Sequence, residues 1–535
     1  MSERIYWIFF VFLVVLFVFN LFINISHPLL WNDEGETVMF GERILTYGYP
    51  KVNDGKNILN LTEVPDKNVG VKEGVDAWIH LGWLQYYVSA LGVFVASFFD
   101  DPYLKTAFLR MPFAFFGLLG VFINILLIFL LPIGRRSKLF VSSFFIFIEL
   151  LSVFLVLHLR EARHYSLTYF LSSLAFFIYV RYRFFGKNKK TYFLILPFVL
   201  VFLFNSFFPV FITVNFYFLI YEFFMFLIRK NTMKSFIPLI LSIILVIPFL
   251  FFYEVFYISS EVARYFGNSF FIYLKNIMFI FEFLFREEFL ILLFVVKIFI
   301  FFLAADDFWW FYKKNKLFQI SFFLTGYFLF FLLVIAKMPY QFERYLVSLQ
   351  PIIAMTIVLD FLILYRAISK KGGTLKHFLL FVFPLFLICN IFKVGNLTGR
   401  IYELTHEYQG PVDYIVSYIK DKYENTDNLV IATNYEEHVL MYYLGSRVIV
   451  GYVGNNIEKD SLEKPDIVIP RRGRPNYKKV LYDFLNKWDY EEVKLPVYDY
   501  SYNNIPELTL FYPHLFKTKL PESRDDYLTF YILKE

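Results

Sequence analysis

Apolar runs as long as a bilayer is thick recur along this chain, separated by short polar loops. A spanning helix needs about 20 mostly apolar residues. Such runs cover residues 5–25, 112–131, 139–158, 165–182, 192–208, 210–228, 236–257, 289–305, 317–336, 346–365 and 377–392. Two further apolar stretches are interrupted by polar residues. Residues 78–99 contain His80 and Gln85, and residues 270–285 contain Lys275 and Glu282. After Lys393 the pattern changes to that of a soluble segment.

Basic residues in short loops mark the cytoplasmic side. The loops at 135–138, 181–190, 229–234, 313–316 and 366–376 are the basic ones, so they share that side. The N-terminus is then cytoplasmic. Residues 160–164, 257–288 and 337–344 and the C-terminal segment fall outside. If 78–99 also crossed, every later basic loop would invert. The pattern therefore predicts that 78–99 lies at the outer interface or re-enters, as does 270–285. About eleven spans result, with a first outer loop from 26 to about 110.

Composition agrees with a lipid-solvated chain. Of 535 residues, 58% are hydrophobic and 18% charged, with 74 Phe and 40 Tyr. A soluble protein carries roughly 45–50% apolar and about 25% charged residues. The net charge of +6 reflects the cytoplasmic loops, not nucleic-acid binding. The one cysteine, Cys389, excludes an internal disulfide. Residues 1–4 lead into an apolar helix with no small-residue cleavage site, which predicts a retained anchor.

The tail reads as a small α/β unit. Helical spacing at 412–423 and 436–444 alternates with strand-like runs at 428–433, 447–452 and 465–470. This alternation predicts a small parallel sheet. The expected organisation is a membrane domain over 1–394 and an extracytoplasmic α/β domain over 395–535.

Three polar clusters fall on the outer side. The first is Trp31-Asn32-Asp33-Glu34-Gly35-Glu36, just past the first span. Its carboxylates suit proton abstraction or metal binding, though Asn32 or Asp33 could equally cap a following helix. The second is Arg160-Glu161-Ala162-Arg163-His164-Tyr165, in a very short loop. Arginine forks there suit a phosphate, and a Glu161–arginine pair would also pin the helix ends. The third holds Lys337, Tyr340, Gln341, Glu343, Arg344 and Tyr345. Minor candidates are His80, Arg110 and Arg264. Carboxylates and cations meeting at the lipid surface fit transfer of a group from a polyprenyl phosphate.

These segments resemble the GT-C membrane glycosyltransferases, in the branch of the protein O-mannosyltransferases and lipid A aminoarabinose transferases. The matching pieces are HPLLWNDEGETVMFGERILTYGYP, AWIHLGWLQYYVSALGVF, HLREARHYSLTYFL and FERYLVSLQP, in order over residues 1 to about 365. The resemblance implies a polytopic α-helical GT-C fold with juxtamembrane helices. It implies Asp33 as general base, Glu34 as its partner and Glu161 as the second-loop acid. It implies Arg160, Arg163, Arg344, Lys337, Tyr345 and His80 around the donor phosphate. His80 matches the opening of a His-Pro-Pro-like segment, but Leu81 and Gly82 stand where the family has prolines.

The implied function is inverting transfer of a sugar from a polyprenyl-phosphate donor to a glycan, lipid or protein acceptor. The expected location is the cell membrane. Some GT-C enzymes require a divalent metal and others do not; no third acidic motif is evident, and no metal ligand is assigned. Competing classes are a lipid or solute transporter or flippase, and a non-catalytic glycolipid-binding relative. Few charges fall mid-span and no inverted repeat is evident, which weighs against transport.

Overall fold

The computed structural model describes residues 3–60, 63–64, 67–68, 70–72, 74–228, 232–267, 269–304, 308–339, 341–371, 391–452, 457–508 and 513–534. The expected span 377–392 lies almost wholly outside these residues. Tyr340, Arg229 and Lys230 lie outside them too, as do residues 372–376 of the last basic loop.

Among the described residues, six helices are long and apolar enough to cross a membrane. They are Glu3–Phe22, Pro102–Leu130, Phe208–Leu227, Met233–Phe252, Lys316–Ile335 and Gln350–Ala367. Their outward faces carry bare Ile, Val and Phe, such as Ile8, Phe12, Val15 and Phe19 on the first helix. That surface suits acyl chains and would be untenable in water. The chain is an integral membrane protein.

The expected span 139–158 is not one straight helix. Arg135–Leu151 and Val153–Leu159 meet at an 82° bend. Ser152 makes the break: its hydroxyl accepts from Leu155 N at 3.2 Å, capping the second helix, and donates to Glu288 at 2.7 Å. The apolar count was right, but a serine that caps a new helix ends the old one. The run 192–208 likewise divides into Lys189–Leu194 and Leu196–Ser206. The run 78–99 yields only Leu84–Ala96. At about 1.5 Å per residue its 13 residues reach roughly 20 Å, short of a ~30 Å hydrocarbon core. Phe270–Glu287 is a helix of 18 residues that interrupts its apolar face with Lys275 and Glu282.

One buried ion pair lies inside the helical domain. Lys297 Nζ lies 2.6 Å from Asp360 Oδ2, and Ser321 bonds both. Two of the basic segments are tied to other parts of the chain. Arg135 Nε pairs with Glu3 at 3.1 Å, and Lys316 Nζ sits 5.0 Å over the Phe185 ring.

The tail forms a five-stranded sheet in the spatial order Arg447–Val450, Val430–Thr433, Ile467–Ile469, Tyr527–Leu533, Tyr490–Tyr498. The first three strands are parallel. Tyr527–Leu533 runs antiparallel to both its neighbours, Ile467–Ile469 and Tyr490–Tyr498, correcting the expectation of a purely parallel sheet. Strand Tyr490–Tyr498 alternates charged and apolar residues on an exposed edge, a pattern too polar to register as a buried run.

The sheet does not stand apart from the membrane domain. Leu29, Val38, Phe40 and Tyr86 of the first outer segment share one apolar core with Ile415, Val439 and Ile467 of the tail. Asn57 bridges Ser446 O at 3.1 Å and Val448 N at 2.9 Å. Helix Asn32–Tyr47 lies so close to helix Glu437–Leu444 that a Cβ on Gly35 would stand 2.9 Å from Val439 Cγ2.

Candidate active site

The first acidic cluster opens helix Asn32–Tyr47. Neither Asn32 nor Asp33 occupies the cap position, which falls on Trp31; Glu34 reaches back to Trp31 N at 3.4 Å. Adjacent positions on a helix point about 100° apart, and the surroundings of the Asp33 and Glu34 carboxylates differ sharply.

Glu34 points inward and is 1% exposed. It receives Arg110 through two parallel bonds, Nε to Oε1 at 2.8 Å and Nη2 to Oε2 at 2.6 Å. Ala162 N adds a third bond at 2.9 Å. Arg110 also donates to Ile25 O and Pro28 O, tying the loop after the first span to helix Pro102–Leu130. A bidentate pair of this kind is a rigid fastening, and Arg110 carries more of the architecture than its place among minor candidates implied.

Asp33 points outward and keeps 26% of its side chain exposed. Two buried guanidiniums flank it. Arg163 Nη2 lies 3.7 Å and Arg344 Nη2 3.5 Å from Asp33 Oδ2. Arg163 is aimed by Asp33 O and Thr37 Oγ1, each 3.0 Å from its Nη1, and by Glu36 Oε2 at 3.5 Å. Arg344 is aimed by Glu507 Oε1 at 2.9 Å and rests over the rings of Phe342 and Trp31. The three clusters thus converge, although 130 and 311 residues separate Asp33 from its two arginines along the chain.

The second-loop residues divide their tasks. Glu161 does not pair with an arginine. Its Oε1 accepts from Trp31 Nε1 at 3.0 Å and its Oε2 lies 2.8 Å from His158 Nδ1. Burial, and then the nearby Glu34 charge, push the Glu161 carboxyl above the usual range. Arg160 turns toward the tail, bonding Glu403 at 2.8 Å and Ile23 O at 3.1 Å. Glu403 also takes His514 Nε2 at 2.5 Å.

His80 stacks on Trp78 at 5.5 Å; burial, and then Arg163, hold its imidazole below the usual range. Gly82 follows it where a Cβ would stand 2.1 Å from Asn205 O, so the backbone passes closer than a side chain permits. Tyr345 is buried 5.4 Å from the Phe207 ring, which also stacks on His164. The Lys337 side chain is exposed and makes no hydrogen bond or ion pair with the described residues, so the structure does not bring it to the cluster.

Sequence reasoning missed the tail's share. Glu403, Asn504 and Glu507 reach the loops that carry the polar clusters, Asn504 Nδ2 donates to Leu29 O at 2.7 Å, and His514 backs Glu403 from within the tail. A polar cavity of about 30 Å³ lies among His27, Trp31, Arg160, Glu161, Asn504 and His514.

The arrangement can be set beside solved structures. The crystal structure of ArnT from Cupriavidus metallidurans in the apo state superposes with a TM-score of 0.54 at 11% identity, covering 92% of this chain and 96% of that one. The fold is that of ArnT. The GT-C fold expected from the sequence, with its small C-terminal sheet, is therefore the fold observed. A second ArnT structure, bound to undecaprenyl phosphate, aligns with a TM-score of 0.45 at 11% identity over 84% of this chain and 86% of that one. No family model and no curated protein matches the chain. The ArnT likeness concerns architecture, so the roles of Asp33, Arg163 and Arg344 rest on the geometry above.

Proposed function

We propose that this protein is a membrane glycosyltransferase that moves a sugar from a polyprenyl-phosphate donor to an acceptor at the outer face of the membrane. The observation that carries the proposal is Asp33: a partly exposed carboxylate between two buried, pre-aimed guanidiniums at the ends of apolar helices. A phosphate at that depth competes with Asp33 for Arg163 and Arg344. Once it takes them, the carboxylate is free to accept a proton.

In the step itself the acceptor hydroxyl gives its proton to Asp33. The acceptor oxygen bonds to the anomeric carbon as the bond from that carbon to the phosphate oxygen breaks. The electron pair leaves on the polyprenyl phosphate, whose charge Arg163 and Arg344 hold. Because phosphate is already a stable anion, no acid catalyst is required, and configuration inverts.

Glu34 serves as a positioning residue, since Arg110 and Ala162 N occupy its oxygens. Glu161 positions Trp31. Arg160 is engaged by Glu403 and does not face Asp33 in this scheme. The grouping of Glu3 with Arg135 and of Phe185 with Lys316 supports a cytoplasmic N-terminus. Residues 1–394 then form the catalytic membrane domain, and 395–535 an extracytoplasmic domain that helps build the site. The acceptor is a glycan, lipid or protein.

Mass spectrometry of cell-envelope glycans and glycoproteins, with and without the protein, tests the proposal. Loss of a sugar substitution, restored by the wild type and not by Arg344→Ala, is the expected result. An unchanged glycan profile, together with purified protein that releases no polyprenyl phosphate, would sink it.

A further inference from the structure

Beside Arg344, three buried side chains from three distant parts of the chain come together. His158 lies on the short helix after the 82° bend, Glu343 opens the turn Glu343–Leu346, and Glu507 belongs to the tail. A ring nitrogen of His158 and one carboxylate oxygen from each glutamate lie within 4.8 Å of one another. Their exposures are 0%, 1% and 3%.

Two carboxylates buried this closely repel and need cations. Arg344 supplies one, to Glu507 Oε1. Glu343 accepts from the backbone N–H of Leu508. The histidine supplies the observation that points to a metal. Its Nδ1 faces Glu161 Oε2 at 2.8 Å, so Glu161 holds the ring from behind and leaves Nε2 as the ring nitrogen open to a ligand. That Nε2 is buried and makes no hydrogen bond. The edge of Phe154, at 5.1 Å, and Tyr165, at 5.5 Å, fix the ring. A carboxylate that orients a histidine from behind, leaving a bare nitrogen beside acidic oxygens, is the outer shell that metal-binding histidines use.

We propose that His158, Glu343 and Glu507 bind a divalent transition-metal ion, which fastens the C-terminal segment to the membrane domain beside Arg344. One imidazole nitrogen with two carboxylate oxygens suits Zn²⁺ or Mn²⁺; calcium and magnesium favour oxygen alone. Ligand atoms around an ion of this size stand roughly 3.3–3.5 Å apart, so the trio needs only a small contraction to close on it. The ion's role is positional. It holds Glu507, and Glu507 holds Arg344 against Asp33. The proposal does not depend on the identity of the donor or on the transfer reaction.

The test uses the full-length protein purified in detergent. Elemental analysis should find one equivalent of Zn²⁺ or Mn²⁺. Chelation should lower the unfolding temperature, and adding either ion back should restore it. Competition against a chromophoric chelator should show the equivalent lost in His158→Gln and affinity weakened about 10–100-fold in Glu161→Gln, which removes only the orienting carboxylate. The proposal is overturned if wild-type protein holds only trace metal and neither ion moves its unfolding temperature. It is equally overturned if His158→Gln, still eluting as a monodisperse species, keeps the metal. Should His158→Gln fail to fold, the wild-type titration decides alone.

Discussion

Replacing Asp33 with Asn keeps the shape of the side chain and removes its charge. The two guanidiniums stand 3.5 and 3.7 Å from Asp33. At an effective dielectric near 20, each attraction is about 4.5 kcal/mol before desolvation. Because Asp33 is partly exposed and the contacts exceed hydrogen-bond length, the net value of each pair is nearer 0.2–1 kcal/mol. Losing both releases about 0.4–2 kcal/mol for a donor phosphate, which corresponds to roughly 2- to 30-fold tighter donor binding. Loss of the general base acts in the opposite direction, lowering kcat by about 10²–10⁴, or roughly 2.7–5.5 kcal/mol of barrier. The assay is steady-state sugar transfer in detergent, with donor affinity measured separately by equilibrium binding. The variant should bind donor at least as tightly as wild type and turn it over far more slowly. If kcat stays within about threefold, Asp33 is not the base. If donor affinity falls in step with kcat, the competition between carboxylate and phosphate is wrong.

Glu34→Gln leaves the Arg110 guanidinium buried without its counter-charge and should cost about 3–5 kcal/mol, read as a lower unfolding temperature and poorer recovery from detergent. An unchanged unfolding temperature would mean the pair does not fasten the first outer loop. Gly35→Ala places a methyl 2.9 Å from Val439 Cγ2 and 3.0 Å from Val439 N, so the helices must part at a cost of about 1–3 kcal/mol. Limited proteolysis should then cut the tail faster, whereas an unaltered cleavage rate would show that the contact can yield freely. Lys297→Met strands Asp360 among apolar helices and should destabilise by about 3–5 kcal/mol, while combining it with Asp360→Leu should recover most of the loss. A double variant no more stable than the single one would show that the pair has a role beyond mutual neutralisation.

Much of the membrane architecture was legible because it depends on local properties. A run of apolar residues is a helix in lipid whatever its neighbours, since every backbone group must be satisfied within the segment. Loop charge set the expectation that 78–99 does not cross, and the 13-residue helix Leu84–Ala96 is too short to do so. Ser152 was not legible as a break, because a serine within an apolar run caps a helix only if the chain has somewhere else to turn. The antiparallel edge of the tail sheet escaped for a related reason: the exposed strand Tyr490–Tyr498 has no buried run to announce it.

The candidate site divides in the same way. Span order together with loop charge led to the expectation that Asp33, Arg163 and Arg344 share one side of the membrane. Which carboxylate faces out does not. Asp33 and Glu34 are neighbours in sequence, and only the placement of Arg110 on another helix makes one a fastening and leaves the other accessible. The contributions of Glu403 and Glu507 were invisible, because nothing near them in sequence marks them as partners of loops more than a hundred residues away. The sequence by itself determined a lipid-embedded bundle with its polar clusters on one face, since hydropathy and loop charge act residue by residue. Only the tertiary structure decided which side chains touch and which acid is spent on an arginine. It also decided that the tail completes the site, because ion pairs and shared cores depend on distances that chain order does not contain.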